Sequence, residues 1–84
     1  MARIIDGNKM NLIGANVRKY RRRQKMSQQL LSAKLELLSV YICRGSVSRV
    51  EDQTRTVTDI ELYALAKVLN VSIQELFENT VDET

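Results

Sequence analysis

The chain has 84 residues, 44% of them hydrophobic, with one cysteine and no histidine, proline or tryptophan. That suffices for one small domain with an aliphatic core, and it excludes an internal disulfide, a Cys/His metal site and histidine acid–base chemistry. The net charge of +3 hides an asymmetry: residues 1–55 carry 12 Lys and Arg against 4 Asp and Glu, residues 56–84 one against six, so one end suits a polyanion.

No apolar run approaches the roughly 20 residues of a membrane span. Residues 1–7 hold no apolar signal-peptide segment, so a soluble cytoplasmic protein is expected. Residues 1–10 read as an N-terminal arm, 11–78 as one domain and 79–84 as a fraying tail. The first helix is expected over 11–24, with Ile13, Val17 and Tyr20 on one stripe. Arg18, Lys19, Arg22 and Arg23 fall largely off that stripe. Lys25 takes the chain-reversing position where Gly or Asn is easier.

The second helix is capped by Ser27, with Met26 and Leu31 as a hydrophobic staple. Leu31, Leu35 and Leu38 continue its stripe, and it ends near Leu38 or Ser39. Ser32 is small enough for a neighbouring helix to approach. Val40, Tyr41 and Ile42 form an apolar connector. A third helix is expected over 44–52, with Val47 and Val50 facing the core. After a polar turn, Thr58 and Glu61 form a capping box, with Val57 and Leu62 as staple. Leu62, Leu65, Ala66 and Leu69 line that fourth helix, and Asn70 is its left-handed stop. Ser72 and Glu75 form a second box, stapled by Val71 and Leu76, that opens a short fifth helix ending near Glu78. The fold class is therefore all-α, since the β-favouring stretch 40–43 has no partner strand.

The order of these pieces resembles the phage Cro/repressor (Xre-type) helix-turn-helix family. The matching residues are Ile13, Gly14, Ala15, Asn16, Val17, Arg18, Lys19, Tyr20 and Arg21, then Met26, Ser27, Gln28 and Gln29, then Val47, Ser48, Arg49, Val50 and Glu51. The closing run from Leu65 through Asn70 and Val71 to Leu76 and Phe77 matches especially well. The resemblance implies a compact five-helix, lambda-repressor-like domain whose second and third helices form the helix-turn-helix. It also implies double-stranded operator DNA as ligand and a dimer on a two-fold symmetric site. Two departures stand out. Glu36 occupies the usual turn glycine, with Ser39 taking the turn role, so the connection to the third helix is lengthened. Cys43 holds the recognition-helix cap, where Ser or Thr is commoner.

On this basis the chain is expected to be a sequence-specific transcriptional regulator, a repressor, reading a major groove with helix three. Arg44, Gly45, Ser46, Ser48 and Arg49 form the reading face: Arg pairs with guanine acceptors and Ser serves several base edges. Gln28 is expected at a backbone phosphate beside a helix N-terminus, joined by Thr54 and Arg55. Glu51, an acid on a helix facing DNA, needs a basic partner, and the resemblance points to Arg21. Asp59, Glu61 and Glu75 lie in first helical turns, where negative charge suits the dipole. No cofactor, metal or membrane partner is expected, and no enzymatic activity. One domain reads too few base pairs for a genome, so a weak homodimer is expected, formed through Leu76, Phe77 and Val81. The alternative is an antitoxin-like or adaptor protein whose chief partner is another protein.

Overall fold

Helical periodicity in every segment is realised in the computed structural model, which describes residues 7–80. The elements are α1 (Gly14–Arg23), α2 (Gln28–Glu36), α3 (Arg44–Glu51), α4 (Asp59–Leu69) and α5 (Ile73–Leu76), and no strand occurs among the described residues. α1 packs against α3, α4 and α5, while α2 packs against α3 and α4. The core between them is aliphatic. Leu31, Leu35, Leu65, Leu69 and Leu76 are wholly buried beside Val17, Val47 and Val50. Each such leucine contributes roughly 1.5–3 kcal/mol relative to exposure.

Caps fix where the helices begin. The Ser27 hydroxyl accepts from the Leu30 N–H at 3.0 Å. Both capping boxes form: Thr58 accepts from the Glu61 N–H while the Glu61 carboxylate takes the Thr58 N–H, and Ser72 and Glu75 repeat the exchange. α1 is different, because Ile13 at its N-cap offers no side-chain acceptor. Asn11 substitutes: its Oδ1 accepts from the Gly14 N–H at 2.8 Å. Its Nδ2 donates to the carbonyls of Val50 and Arg55.

The helix ends share one device. Lys25, Ser39, Gln53 and Asn70 adopt left-handed backbone angles, with φ between 56° and 63°. At each, the next residue's N–H reaches back to the carbonyl five earlier: Met26 to Arg21, Val40 to Leu35, Thr54 to Arg49 and Val71 to Ala66. This is the Schellman closure, and Met26, Val40 and Val71 supply its usual apolar contact. Gln53 holds its position without being glycine because its side chain is engaged: its Nε2 donates to the Asn11 carbonyl at 3.0 Å. Its own carbonyl accepts from the Met10 N–H at 2.9 Å.

Several expected boundaries move. α1 starts at Gly14 rather than residue 11, because the Asn11 amide is used to tie the chain to the end of α3. α2 stops at Glu36, and the turn through Ser39 leaves Leu38 49% exposed instead of continuing the buried stripe. α5 ends at Leu76, not near Glu78, with buried Asn16 of α1 donating to the carbonyls of Leu76 and Glu78 at 2.8 Å each. Leu76 is fully buried, so it is a core residue and not a surface for dimerisation. Val81 lies outside the described residues.

Gly14 sets the closest approach in the fold. A Cβ added there would stand 2.1 Å from the Val50 carbonyl oxygen, 2.8 Å from Gln53 Cγ and 3.0 Å from the Glu51 carbonyl oxygen. The start of α1 therefore lies directly on the end of α3, and backbone atoms cannot yield as a side-chain tip can. Gly14→Ala is expected to destabilise the domain by about 1–3 kcal/mol, as overpacking does. Urea unfolding checks this: the midpoint should fall with unchanged slope, and a midpoint equal to wild type would show that α1 and α3 separate freely.

Candidate nucleic-acid interface

α3 is amphipathic by simple spacing. Val47 and Val50 are buried, while Arg44, Gly45 and Arg49 are exposed and Ser46 and Ser48 are half-buried. Its inner face locks it to the core, so its outer face is presented as a fixed surface. Arg49 is tethered along that surface, its Nη2 donating to Ser46 Oγ at 2.9 Å. Arg44 makes no ion pair with any described residue. A Cβ on Gly45 would meet nothing closer than Arg49 Nη1 at 3.8 Å. The protein itself thus has no steric need for glycine there.

Cys43 is the N-cap of α3 in extended conformation, but its side chain makes no capping bond. Its thiol lies 3.4 Å from Ser46 Oγ. Hydrogen bonding with Ser46, aided by the Gly45 amide and the charge of Arg49, lowers the pKa of this exposed thiol. Ser32 does more than leave space: its hydroxyl donates to the Ile42 carbonyl at 2.6 Å and pins the connector entering α3.

Glu51, the last residue of α3, joins three helices. Its carboxylate has no exposed surface. Arg21 of α1 grips it with two bonds, Nε to Oε2 at 2.6 Å and Nη2 to Oε1 at 3.0 Å. The remaining Arg21 nitrogen donates to the Met26 carbonyl at 2.8 Å. Gln28 of α2 donates Nε2 to Oε1 at 3.1 Å, and Arg18 of α1 donates Nε to the same oxygen at 3.2 Å. Burial opposes ionisation of Glu51, but the bonds from Arg21, Gln28 and Arg18 outweigh it and hold the pKa below the usual carboxylate value.

The expected site residues therefore fall into two sets. Arg44, Gly45, Ser46, Ser48 and Arg49 share the accessible α3 surface. Gln28 is half-buried at the start of α2, where its amide is engaged by Glu51. Thr54 follows α3 and closes on the Arg49 carbonyl. Arg55 is held by Glu61, with Nη1 to Oε1 at 3.0 Å and Nη2 to Oε2 at 2.8 Å. That hydrogen bonding raises the Arg55 pKa and lowers that of Glu61. Arg18 is not a solvated off-stripe residue: it also pairs with Asp52. Position 18 gave no sign of this, since both its partners are more than 30 residues away. On the remaining basic face, Lys19 and Arg23 lie over the Tyr20 ring at 4.8 and 5.5 Å.

Among the described residues no group of three or more His, Cys, Asp or Glu could hold a metal ion, and no helix is long and apolar enough to cross a membrane. Residues 17–76 match the family model described as helix-turn-helix. Among solved structures, the chain is similar to the restriction-modification controller protein C.AhdI from Aeromonas hydrophila, at 28% identity and a TM-score of 0.68. That match covers 77% of this chain and 87% of the controller. It is equally similar in fold, TM-score 0.68, to the P22 c2 repressor protein in complex with synthetic operator 9T. There the identity is 24%, over 81% of this chain and 96% of the repressor. No curated protein sequence matches the chain.

The buried carboxylate makes stability pH-dependent in a defined direction. Glu51 binds a proton less readily in the folded protein than in the unfolded chain, where glutamate titrates near 4.3. Its contribution is complete above that value and is lost as pH falls through the lower folded pKa. Glu51→Gln should therefore be less stable than wild type at about pH 7, with the gap narrowing below about pH 4.3. Denaturant unfolding across that range measures it. A gap of constant size down to about pH 3 would contradict the ion-paired state.

Proposed function

The chain belongs to the Cro/C1-type (Xre-like) helix-turn-helix family of DNA-binding transcriptional regulators, and on that premise we propose that it is a sequence-specific repressor. It reads a double-stranded operator by placing the outer face of α3 in the major groove. The observation that carries this reading is the unequal treatment of arginines. Arg18, Arg21 and Arg55 are each neutralised by a carboxylate. Arg44 has no such partner, and it stands at the first position of α3, where the helix dipole disfavours a cation by roughly 0.3–1 kcal/mol. Folding gains nothing from a free cation there; a guanine edge or a phosphate does.

Gly45 supports the same reading. It leaves bare backbone beside Arg44 at a point where the fold would accommodate a side chain, and bare backbone allows close approach to a ligand. Arg49 and the serines at 46 and 48 complete the reading surface. Gln28 and the amides at the start of α2 bind the phosphate backbone, with Thr54 alongside. Arg55 contributes least, because Glu61 already occupies its fork. Since one α3 spans only a few base pairs, the operator is two-fold symmetric and the protein occupies it as a weak homodimer.

The test is selection of bound duplexes from a random library, followed by fluorescence anisotropy on the selected site and on random DNA. Arg44→Ala and Arg49→Ala should each weaken the selected site by about 1–3 kcal/mol and random DNA by less. Gln28→Ala should weaken both alike. Equal losses on both duplexes for all three variants would remove α3 as the reader.

A further inference from the structure

The two forked arginine–carboxylate pairs differ in kind. Glu51 has no exposed side-chain surface and Arg21 only 9%, so that pair is sealed within the helical junction. Arg55 and Glu61 meet nearer the surface, their side chains 27% and 14% exposed. Opening a buried pair strands two charges, whereas a pair that water reaches opens at modest cost. The Arg55–Glu61 pair is therefore open to exchange with an outside anion, and the Arg21–Glu51 pair is not.

Each partner keeps other bonds when this pair opens. Glu61 Oε1 also accepts from the Thr58 N–H at 3.0 Å in the capping box, and the start of α4 favours its charge through the helix dipole. Arg55 Nη1 also donates to the Thr56 carbonyl at 3.1 Å. The Arg55 backbone is fixed independently, its carbonyl accepting from Asn11 Nδ2 at 2.8 Å. The chain path at residue 55 thus does not depend on the ion pair. What the pair does decide is whether the Arg55 fork is free.

Position says what a free fork would meet. Arg55 lies four residues past the end of α3, beside exposed Thr54. Its raised pKa comes first from the Glu61 bonds, with a further Coulombic contribution from Cys43 at the N-cap of α3. The charge is therefore within electrostatic reach of the reading helix. An arginine fork takes two oxygens of a carboxylate or of a phosphate with the same geometry. Glu61, only six residues away in the chain, is a tethered competitor at high effective concentration. We propose that Arg55 is a latent site for a DNA phosphate, held closed by Glu61, and that this internal contact limits the sequence-independent part of DNA affinity. The inference rests on the proposed DNA-binding reading and deepens it, by giving one acidic side chain control over the number of phosphates bound.

Anisotropy titrations of the full chain across a salt series, on the selected duplex and on random DNA, test the proposal. Glu61→Gln removes the charge but keeps a capping-box acceptor. It should tighten both duplexes alike, by roughly 3–10-fold at about 0.1 M salt, and steepen the log–log salt slope by about 0.9, the value of one phosphate. Glu61→Ala, which also drops the acceptor, should show the same gain in affinity at a lower melting temperature. Arg55→Ala should cost at least ~3-fold more affinity in the Glu61→Gln background than in wild type, because only there does the fork reach DNA. Asp59 forms no ion pair with any described residue, so Asp59→Asn removes one nearby negative charge without freeing an arginine. It should change affinity less than ~2-fold. Glu61→Gln with wild-type affinity and slope, equal Arg55→Ala losses in the two backgrounds, or a gain matched by Asp59→Asn would each overturn the proposal. In those cases wild type still binds its selected duplex and the DNA reading stands. If neither wild type nor any variant binds a duplex, both fall.

Discussion

A carboxylate with no access to water must be met by donors on every side, and Glu51 is met from two other helices. An isolated buried carboxylate would cost several kcal/mol or take up a proton. Here Arg21 supplies a forked grip, while Gln28 and Arg18 satisfy the remaining acceptor capacity of Oε1. Because Glu51 is the final residue of α3, these bonds fix the end of that helix against α1 and the start of α2. Gly14 makes the same junction tight from the other side, where the backbones of α1 and α3 touch. Asn11 spans it again through the carbonyls of Val50 and Arg55. No buried side-chain polar atom among the described residues is left without a partner.

This junction decides which cations remain available. Arg18 and Arg21 are taken up in holding α3, and Arg55 in holding the start of α4 through Glu61. Among the described residues, the arginines without a carboxylate partner are Arg44 and Arg49 on the outer face of α3 and Arg22 and Arg23 of α1. The paired arginines orient α3 and the start of α4, and the unpaired ones stay at the surface. Three acidic residues of the C-terminal half serve helix starts, Glu61 and Glu75 in capping boxes and Asp59 in the first turn of α4.

What the sequence made legible was local. The two capping boxes, the Ser27 cap and the left-handed Asn70 are written within four residues of where they act, so residue type alone indicates them. The same holds for the division of α3 into a Val47/Val50 face and an outer face. Contacts that span the chain were not written this way. Asn16 meets carbonyls 60 and 62 residues away, and Arg18 meets Glu51 and Asp52 across 33 and 34 residues. A partner for Glu51 on the first helix came from the family resemblance, because no spacing rule joins residues 30 apart. Leu38 misled for a different reason. Its spacing fits the α2 stripe, but the left-handed Ser39 ends the helix first, and serine carries no strong signal for that conformation. The polar turn after α3 was legible, but not that Gln53 is its left-handed residue, tied by its side chain to the distant Asn11.

The most direct test of the account is a double-mutant cycle between Arg21 and Glu51, with unfolding free energies measured for wild type, Arg21→Met, Glu51→Met and the double variant. If the pair is the lock between α1 and α3, each single change strands a buried charge and is strongly destabilising, by about 3–5 kcal/mol. The double change should then cost much less than the sum, giving a coupling energy of at least ~2 kcal/mol. Single losses that simply add, to within ~0.5 kcal/mol, would show that the two residues act independently and that α3 is held by its apolar face alone.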